Sequence, residues 1–497
     1  MRDGLGRIIA AFICLTSASP ALAQANPPPP PDAFAERNRL FVLSDIGNEP
    51  DDQMSVVRLL LYADEIDIEG LAAVTSESLK DRTNPETLRT LIRAYGTVRP
   101  NLQKHAQGWP EASRLDALVS SGPRGWGLKA IDPKAPSPAA QALIRAADKT
   151  DKRPLWVSIW GGANTLAEAL QIVRRTRSAA QLDAFVGRMR VYSISDQDDA
   201  GPWIRRAFPA LQYVVSPSAS YEDYPRATWT GISGDSFYHN DEGSADPSKV
   251  SNAWLDAHIR KGPLGSLYPK VQFIMEGDTP AFLGLTANGL ASAMSPAWGG
   301  WGGRYVYRRA YGESRPIWTE GGFPLYGLDS RDEVTGIDGR RLRSDQATIW
   351  RWRNAFQNDF AARIDWTIKP FAGANHQPVA VVNRVGGIAP IILTARPGDS
   401  IDIDASSSRD PDGGQKLSFR WYVYREAGTG LAAPADVAIA DADQPRARVS
   451  VLPRCTPAVA GMTAPCGARA VHLIVEVTDD GAPPLTAYRR IIINVVP

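Results

Sequence analysis

From residue 39 to about residue 370, short apolar runs alternate with stretches whose apolar positions recur every three or four residues. The runs at 41–44, 68–75, 155–159, 189–193, 211–215 and 271–275 predict buried strands. Between and after them, 53–63, 85–95, 138–147, 165–175, 200–208 and 344–362 predict helices; Val56, Leu59, Leu60 and Tyr62 mark the buried face of the first. Strands that alternate with helices predict an α/β domain over 39–372, a mostly parallel sheet with helices on both faces. The period shortens after residue 375. Residues 376–382 open a region of short alternating strands with no helical periodicity, which predicts an all-β sandwich over 375–497.

The chain start reads as an export signal. Arg2 and Arg7 precede an apolar stretch at 8–16, and Ala21-Leu22-Ala23 offers a small-residue cleavage site. This predicts a signal peptide over 1–23, a Pro-rich leader over 24–38, and a periplasmic or extracellular protein. No later segment approaches the ~20 apolar residues that a membrane span needs. Lys plus Arg (55) balance Asp plus Glu (54), so no overall field steers the chain to nucleic acid or anionic membranes. Cys14 leaves with the signal, and in an oxidising compartment Cys455 and Cys466 are expected to form a disulfide. Fourteen Trp residues exceed ordinary use. Most serve a core, but the indoles of Trp298 and Trp301, in a glycine-rich loop, are candidates for a sugar-stacking platform.

The chemistry concentrates at predicted strand ends, where open α/β sheets bind their ligands. Asp45, Glu49, Asp51 and Asp52 crowd the first strand–helix loop, Leu43-Ser44-Asp45-Ile46-Gly47-Asn48-Glu49-Pro50-Asp51-Asp52. Carboxylates at that density repel one another and need a cation or a proton, and hard oxygen ligands favour Ca²⁺. A second strand end gives Trp160-Gly161-Gly162-Ala163-Asn164-Thr165, where Asn164 either caps the helix or meets a ligand. A third gives Met275-Glu276-Gly277-Asp278-Thr279-Pro280. Asp196 and Gln197 follow the 189–193 strand as ligand candidates, and His239 is the candidate for a catalytic acid. In the C-terminal region Asp410, Asp412 and Asp479 form either an Asx-rich turn or a structural Ca²⁺ site.

The acidic loop, the G-G-A-N-T segment and the E-G-D-T-P segment together resemble the nucleoside hydrolase family. The resemblance implies that Asp45 binds metal and acts as general base, that Asp52 and Asp278 bind metal, and that the loop at Ala163 lends it a backbone carbonyl. Asp51 would hold sugar hydroxyls, and Glu49 is either an added ligand or a solvent-facing acid. Two features depart from the family pattern: Ser44 breaks the leading D-x-D, and the loop carries two extra residues before the acid pair. Glu276-Gly277 stands where a His for base recognition would be looked for, which makes Glu276 a candidate substrate contact. The motifs also resemble a secreted bacterial cellulose-binding family with a nucleoside-hydrolase-like N-terminal domain and a C-terminal β-sandwich of Ig, PKD or cadherin type. The expected function is calcium-dependent glycoside hydrolysis of a glycan-derived sugar, with a metal-bound water and Asp45 as base. The alternatives are nucleoside hydrolysis and non-catalytic polysaccharide binding around a structural calcium. Related hydrolases commonly form dimers or tetramers, and a homodimer is one assembly this resemblance allows.

Overall fold

A computed structural model describes residues 27–218, 222–323, 328–428, 435–455 and 469–496. The first domain is built on an eight-stranded sheet: β1 (Asn38–Ser44), β2 (Ile66–Ala73), β3 (Val119–Ser121), β4 (Leu155–Ile159), β5 (Met189–Ser193), β6 (Gln212–Val215), β7 (Val306–Arg308) and β8 (Ile317–Thr319). Their order is β3-β2-β1-β4-β5-β6-β8-β7, parallel throughout except for β7 against β8. β1 lies inside the sheet, and six of its seven residues are buried, as a strand covered on both faces requires. Leu40 and Val42 join the core on one face, Phe41 and Leu43 the core on the other. Helices Pro50–Leu60 and Pro85–Leu102 help to cover the first face, and helices Pro138–Ala147, Asn164–Thr176 and Ala200–Ala207 the second.

The strand expected at 271–275 does not form. Phe273 is exposed, and β8 takes the place beside β6, with Trp318 opposite Val214. The backbone of Met275 is satisfied instead by one side chain: the Ser233 hydroxyl accepts its N–H and donates to its carbonyl. Its apolar residues Ile274 and Met275 are buried without a ladder. The helix expected over 344–362 is split into Ala347–Trp350 and Arg353–Trp366. Just before it lie two small hairpins, β9 (Gly322–Phe323) with β10 (Leu328–Asp329) and β11 (Asp332–Thr335) with β12 (Arg341–Ser344).

The C-terminal domain holds β13 (Ile391–Ala395), β14 (Ser400–Asp404), β15 (Ser418–Val423), β16 (Ala435–Ala440), β17 (Arg446–Cys455), β18 (Arg469–Thr478) and β19 (Thr486–Val495). They form two sheets, β13-β19-β18-β15 and β14-β17-β16, enclosing a core of Trp421, Val449, Leu473 and Ile491. This is a β-sandwich fastened tightly to its neighbour. Arg490 is buried and donates to the carbonyls of Leu290, Trp298 and Gly299 in the first domain. Asn358 donates to Pro484 O, and the Tyr424 hydroxyl donates to Asp332 at 2.6 Å. Among the described residues no helix is long and apolar enough to cross a membrane. The export signal and Cys466 lie outside the described residues, as does the Cys455 side chain.

Candidate functional site

β1 delivers Ser44 to the carboxyl edge of the sheet, and the chain turns through residues 45–49 into the helix Pro50–Leu60. Pro50 pre-sets the first helical φ, and Asp51 and Asp52 occupy the first turn, where the helix dipole favours negative charge. Asp278 arrives from the turn before helix Pro280–Leu283. Carboxylate oxygens of Asp51, Asp52 and Asp278 lie within 4.8 Å of one another. Asp45 lies beside them, near enough that its charge acts on Asp51, Asp52 and Asp278. The Ser44 hydroxyl donates to Asp52 Oδ1.

Two glycines allow this crowding. A Cβ on Gly161 would lie 2.8 Å from Asp45 Cβ, and one on Gly277 would lie 2.8 Å from Asp51 Oδ2. Any side chain at either position would push into a carboxylate.

The electrostatics are severe. Burial first, then the charges of Asp45 and Asp51, push Asp52 well above the ordinary carboxylate range. Asp278 is pushed well up by burial and then by Asp52, Asp51 and Asp45. Asp51 rises to about 7, through burial and then the charges of Glu49 and Asp45. Burial also raises Asp45 and the exposed Glu49. Oδ2 of Asp278 is buried with no donor among the described residues. Acids that act on one another in this way, one with an orphaned oxygen, fit a hard divalent cation. Asp51, Asp52 and Asp278 would hold it, with Asp45 alongside.

Other expected residues sit elsewhere. Glu276 is fully buried beneath the acid loop, with Arg58 Nε at 2.5 Å, the Tyr268 hydroxyl at 2.6 Å and the Thr279 hydroxyl at 2.9 Å. All of these donate to it, so it is a structural counter-ion and meets no substrate. Trp298 and Trp301 are buried too. Trp298 packs edge-on against His472, and Trp301 against Tyr488 and Phe356; the glycine loop folds under the sandwich and offers no platform. Asp196 is taken by a paired bond to Arg205, both contacts at 2.8 Å. His239 is exposed and meets Glu242 at 3.3 Å, which ties it to its own loop.

Asn164 neither caps its helix nor points freely: its amide donates to Gly125 O at 2.8 Å and Thr75 Oγ1 at 3.2 Å, lacing loops together. The carbonyl of Ala163 closes the first helical turn by accepting the Ala167 N–H. Gln197 donates to Trp160 O.

Several residues at the site carry no pattern in the sequence. Asp198 accepts the N–H groups of Asn164 and Ala200, and burial holds its carboxyl up at about 6. It fixes the 161–164 loop. Tyr224 and Trp229 stand beside the acids, edge to face at 5.0 Å; the charges of Asp51 and Asp278 act on the Tyr224 phenol. Trp126 leans over the rim and donates to Gln197 O, with Lys80 and Lys129 near its ring. Further along the same edge, Glu320 follows β8 and accepts from Ser216 Oγ and the Thr228 N–H. Burial and Asp345 raise it to about 7. These aromatics lie in short 3₁₀ and loop segments, where no periodicity announces them.

Residues 39–305 match a family model described as the nucleoside hydrolase-like domain of cellulose-binding Sde182, and residues 400–495 match the C-terminal domain of cellulose-binding protein Sde0182. A solved nucleoside hydrolase-related hypothetical protein from Saccharophagus degradans, described as associated with carbohydrate metabolism, is 34% identical. The match covers 92% of this chain and 100% of that one, with a TM-score of 0.76. Local matches to the PKD domain of the KIAA 1837 protein (21% identity, 22% of this chain and 79% of that one, TM-score 0.14) and to mouse cadherin-23 (17%, 24% and 33%, 0.16) are also found. No curated protein matches.

Proposed function

The chain belongs to the cellulose-binding Sde182 family, and from that premise we propose that its first domain is an exported, calcium-dependent glycoside hydrolase acting on a glycan-derived sugar. The observation that carries this reading is the convergence of Asp51, Asp52 and Asp278 beside Asp45, with Asp278 Oδ2 left without a donor. Calcium bound there supplies charge neutralisation, hydroxyl binding and an acidified water.

The protein's own residues do the rest. Asp45, buried beside these acids, accepts the proton of the attacking water. Asp51 takes sugar hydroxyls, and the half-buried Tyr224 ring, backed edge-on by the buried Trp229, orients the sugar at the pocket wall. Glu276 is locked to Arg58, which removes the family's usual place for a leaving-group acid and favours a leaving group other than a nucleobase.

Reducing-sugar release from a panel of cello-, xylo- and arabino-oligosaccharides tests the reading. Turnover that disappears with chelator and in Asp45→Asn supports it, and no turnover on any sugar or nucleoside ends it. The family's description favours one second reading, a non-catalytic polysaccharide binder. Retention on insoluble cellulose, unchanged in Asp45→Asn and accompanied by no sugar release, would select that reading.

A further inference from the structure

Away from the acid pocket, three turns meet where the sandwich joins the first domain: residues 375–376, 410–416 and 479–485. They are laced by side chains. Asn375 donates through Nδ2 to Asp479 Oδ1 at 3.0 Å and to Pro483 O at 2.8 Å. Trp366 of the first domain donates to Asn375 O, and Lys416 N–H donates to Asp480.

This lacing fixes how each amide is turned. Both partners of the Asn375 NH₂ are acceptors, so its Oδ1 must accept in turn. Gln415 therefore presents Nε2 to it, at 2.6 Å. Its carbonyl, Oε1, is left buried and without a donor. The same holds for Oδ2 of Asp410 and Oδ2 of Asp479. Asp479 is 4% exposed, and its other oxygen already accepts the N–H groups of Gly481 and Leu485. Asp410 Oδ1 accepts the Asp412 N–H, and the charges of Asp479 and Asp412 act on Asp410.

Neighbouring donors are committed elsewhere. His376 gives its backbone N–H and Nδ1 to Asp412, and its Nε2 faces His105 at 2.9 Å. Asp412, expected from sequence beside the other two acids, is thereby withdrawn, and the neutral Gln415 takes its place. Three buried oxygens that only accept are costly unless something positive meets them. Two carboxylates and an amide carbonyl are a hard-oxygen set suited to calcium rather than to a transition metal.

We propose that Asp410, Gln415 and Asp479 form a second calcium site, separate from the acid pocket, that pins together the 410–416 and 479–485 turns of the sandwich where they meet the first domain. Calcium is then a fastener at this junction, whatever it does in the pocket.

The test uses the full chain, calorimetric titration with CaCl₂ and melting temperatures in calcium and in EDTA. Wild type is expected to bind two calcium ions. Asp410→Asn keeps the acceptor for Asp412 N–H and replaces the orphaned Oδ2 with an NH₂ that cannot ligate a cation. It is expected to bind one ion and to melt in EDTA no lower than wild type, with most of the calcium-dependent rise gone. Asp278→Asn removes the pocket ion and keeps that rise. The proposal is overturned if Asp410→Asn binds as many ions as wild type, or if its melting temperature rises with calcium as wild type's does. Loss of binding in Asp278→Asn with normal behaviour of Asp410→Asn would also overturn it, and would leave the pocket reading standing.

Discussion

The hydroxyl of Ser44, the last residue of β1, donates to Oδ1 of Asp52 in the first turn of the helix that follows. A neutral hydroxyl rather than a further charge meets the crowd there, and it orients a carboxylate that the pocket needs. The same oxygen accepts the Ile46 N–H at 3.1 Å, which ties the loop to the strand end. Ser44→Ala is expected to weaken calcium binding at the pocket by about 10-fold, as loss of a partner behind a metal ligand does. Calorimetric titration reads this directly; unchanged affinity would show that Asp52 needs no such support.

Asp45→Asn keeps the size and one acceptor of the side chain while removing its basicity. Turnover is expected to fall by about 10²–10⁴-fold, the usual contribution of a general base. Calcium binding should persist, since Asp51, Asp52 and Asp278 remain. Equal loss of metal and activity would move Asp45 from base to ligand.

Glu320 gives the pH behaviour a sign. Its folded pKa, about 7, lies above its ordinary value of 4.5. The native state therefore holds an extra proton between those values, and stability falls as pH rises through that window. Glu320→Gln retains the acceptor for Ser216 and Thr228 and never ionises. Melting temperatures should coincide with wild type near pH 4 and exceed it at pH 8, both measured in saturating calcium. A variant less stable at pH 8 would mean that the carboxylate has a cationic partner.

Arg58→Ala leaves Glu276 as a buried charge without its counter-ion and should cost about 3–5 kcal/mol in urea denaturation. Adding Glu276→Gln should restore part of that loss. If the double variant is no better than the single, packing of Arg58 over the Phe360 ring, at 3.9 Å, dominates instead.

Trp301→Ala separates packing from ligand stacking. Because the indole is sealed between Phe356 and Tyr488, truncation should cost about 3–5 kcal/mol. At temperatures where the variant stays folded, its retention on cellulose should match wild type. Weaker retention there would return the loop to the binding surface.

What the sequence discloses follows from how local each signal is. The β1 strand, the acidic turn after it and the helix at Pro50 are written in one contiguous stretch, and so is the Asp278 turn. The alternation of strands and helices carries the parallel sheet, and the change of period after residue 375 carries the sandwich. Trp301 misled because a glycine-rich flank looks the same whether it faces water or another domain; the sandwich that covers it comes nearly two hundred residues later. Arg58 and Glu276 are 218 residues apart, and no periodicity links them. The apolar run at 271–275 resembles a strand because burial, not pairing, sets composition, and Ser233 supplies the hydrogen bonds that a ladder would have given.

Arg490 bears on how such a protein can change over generations. A carbohydrate-binding module carried on a loose tether can be traded between genes without disturbing its neighbour. Here the last strand inserts a guanidinium that three carbonyls of the first half depend upon. A recombination breakpoint between the halves would orphan those carbonyls and uncover the indoles of Trp298, Trp301 and Trp352. Selection therefore acts on the pair as one heritable unit, and the halves are expected to share one ancestry along the whole lineage.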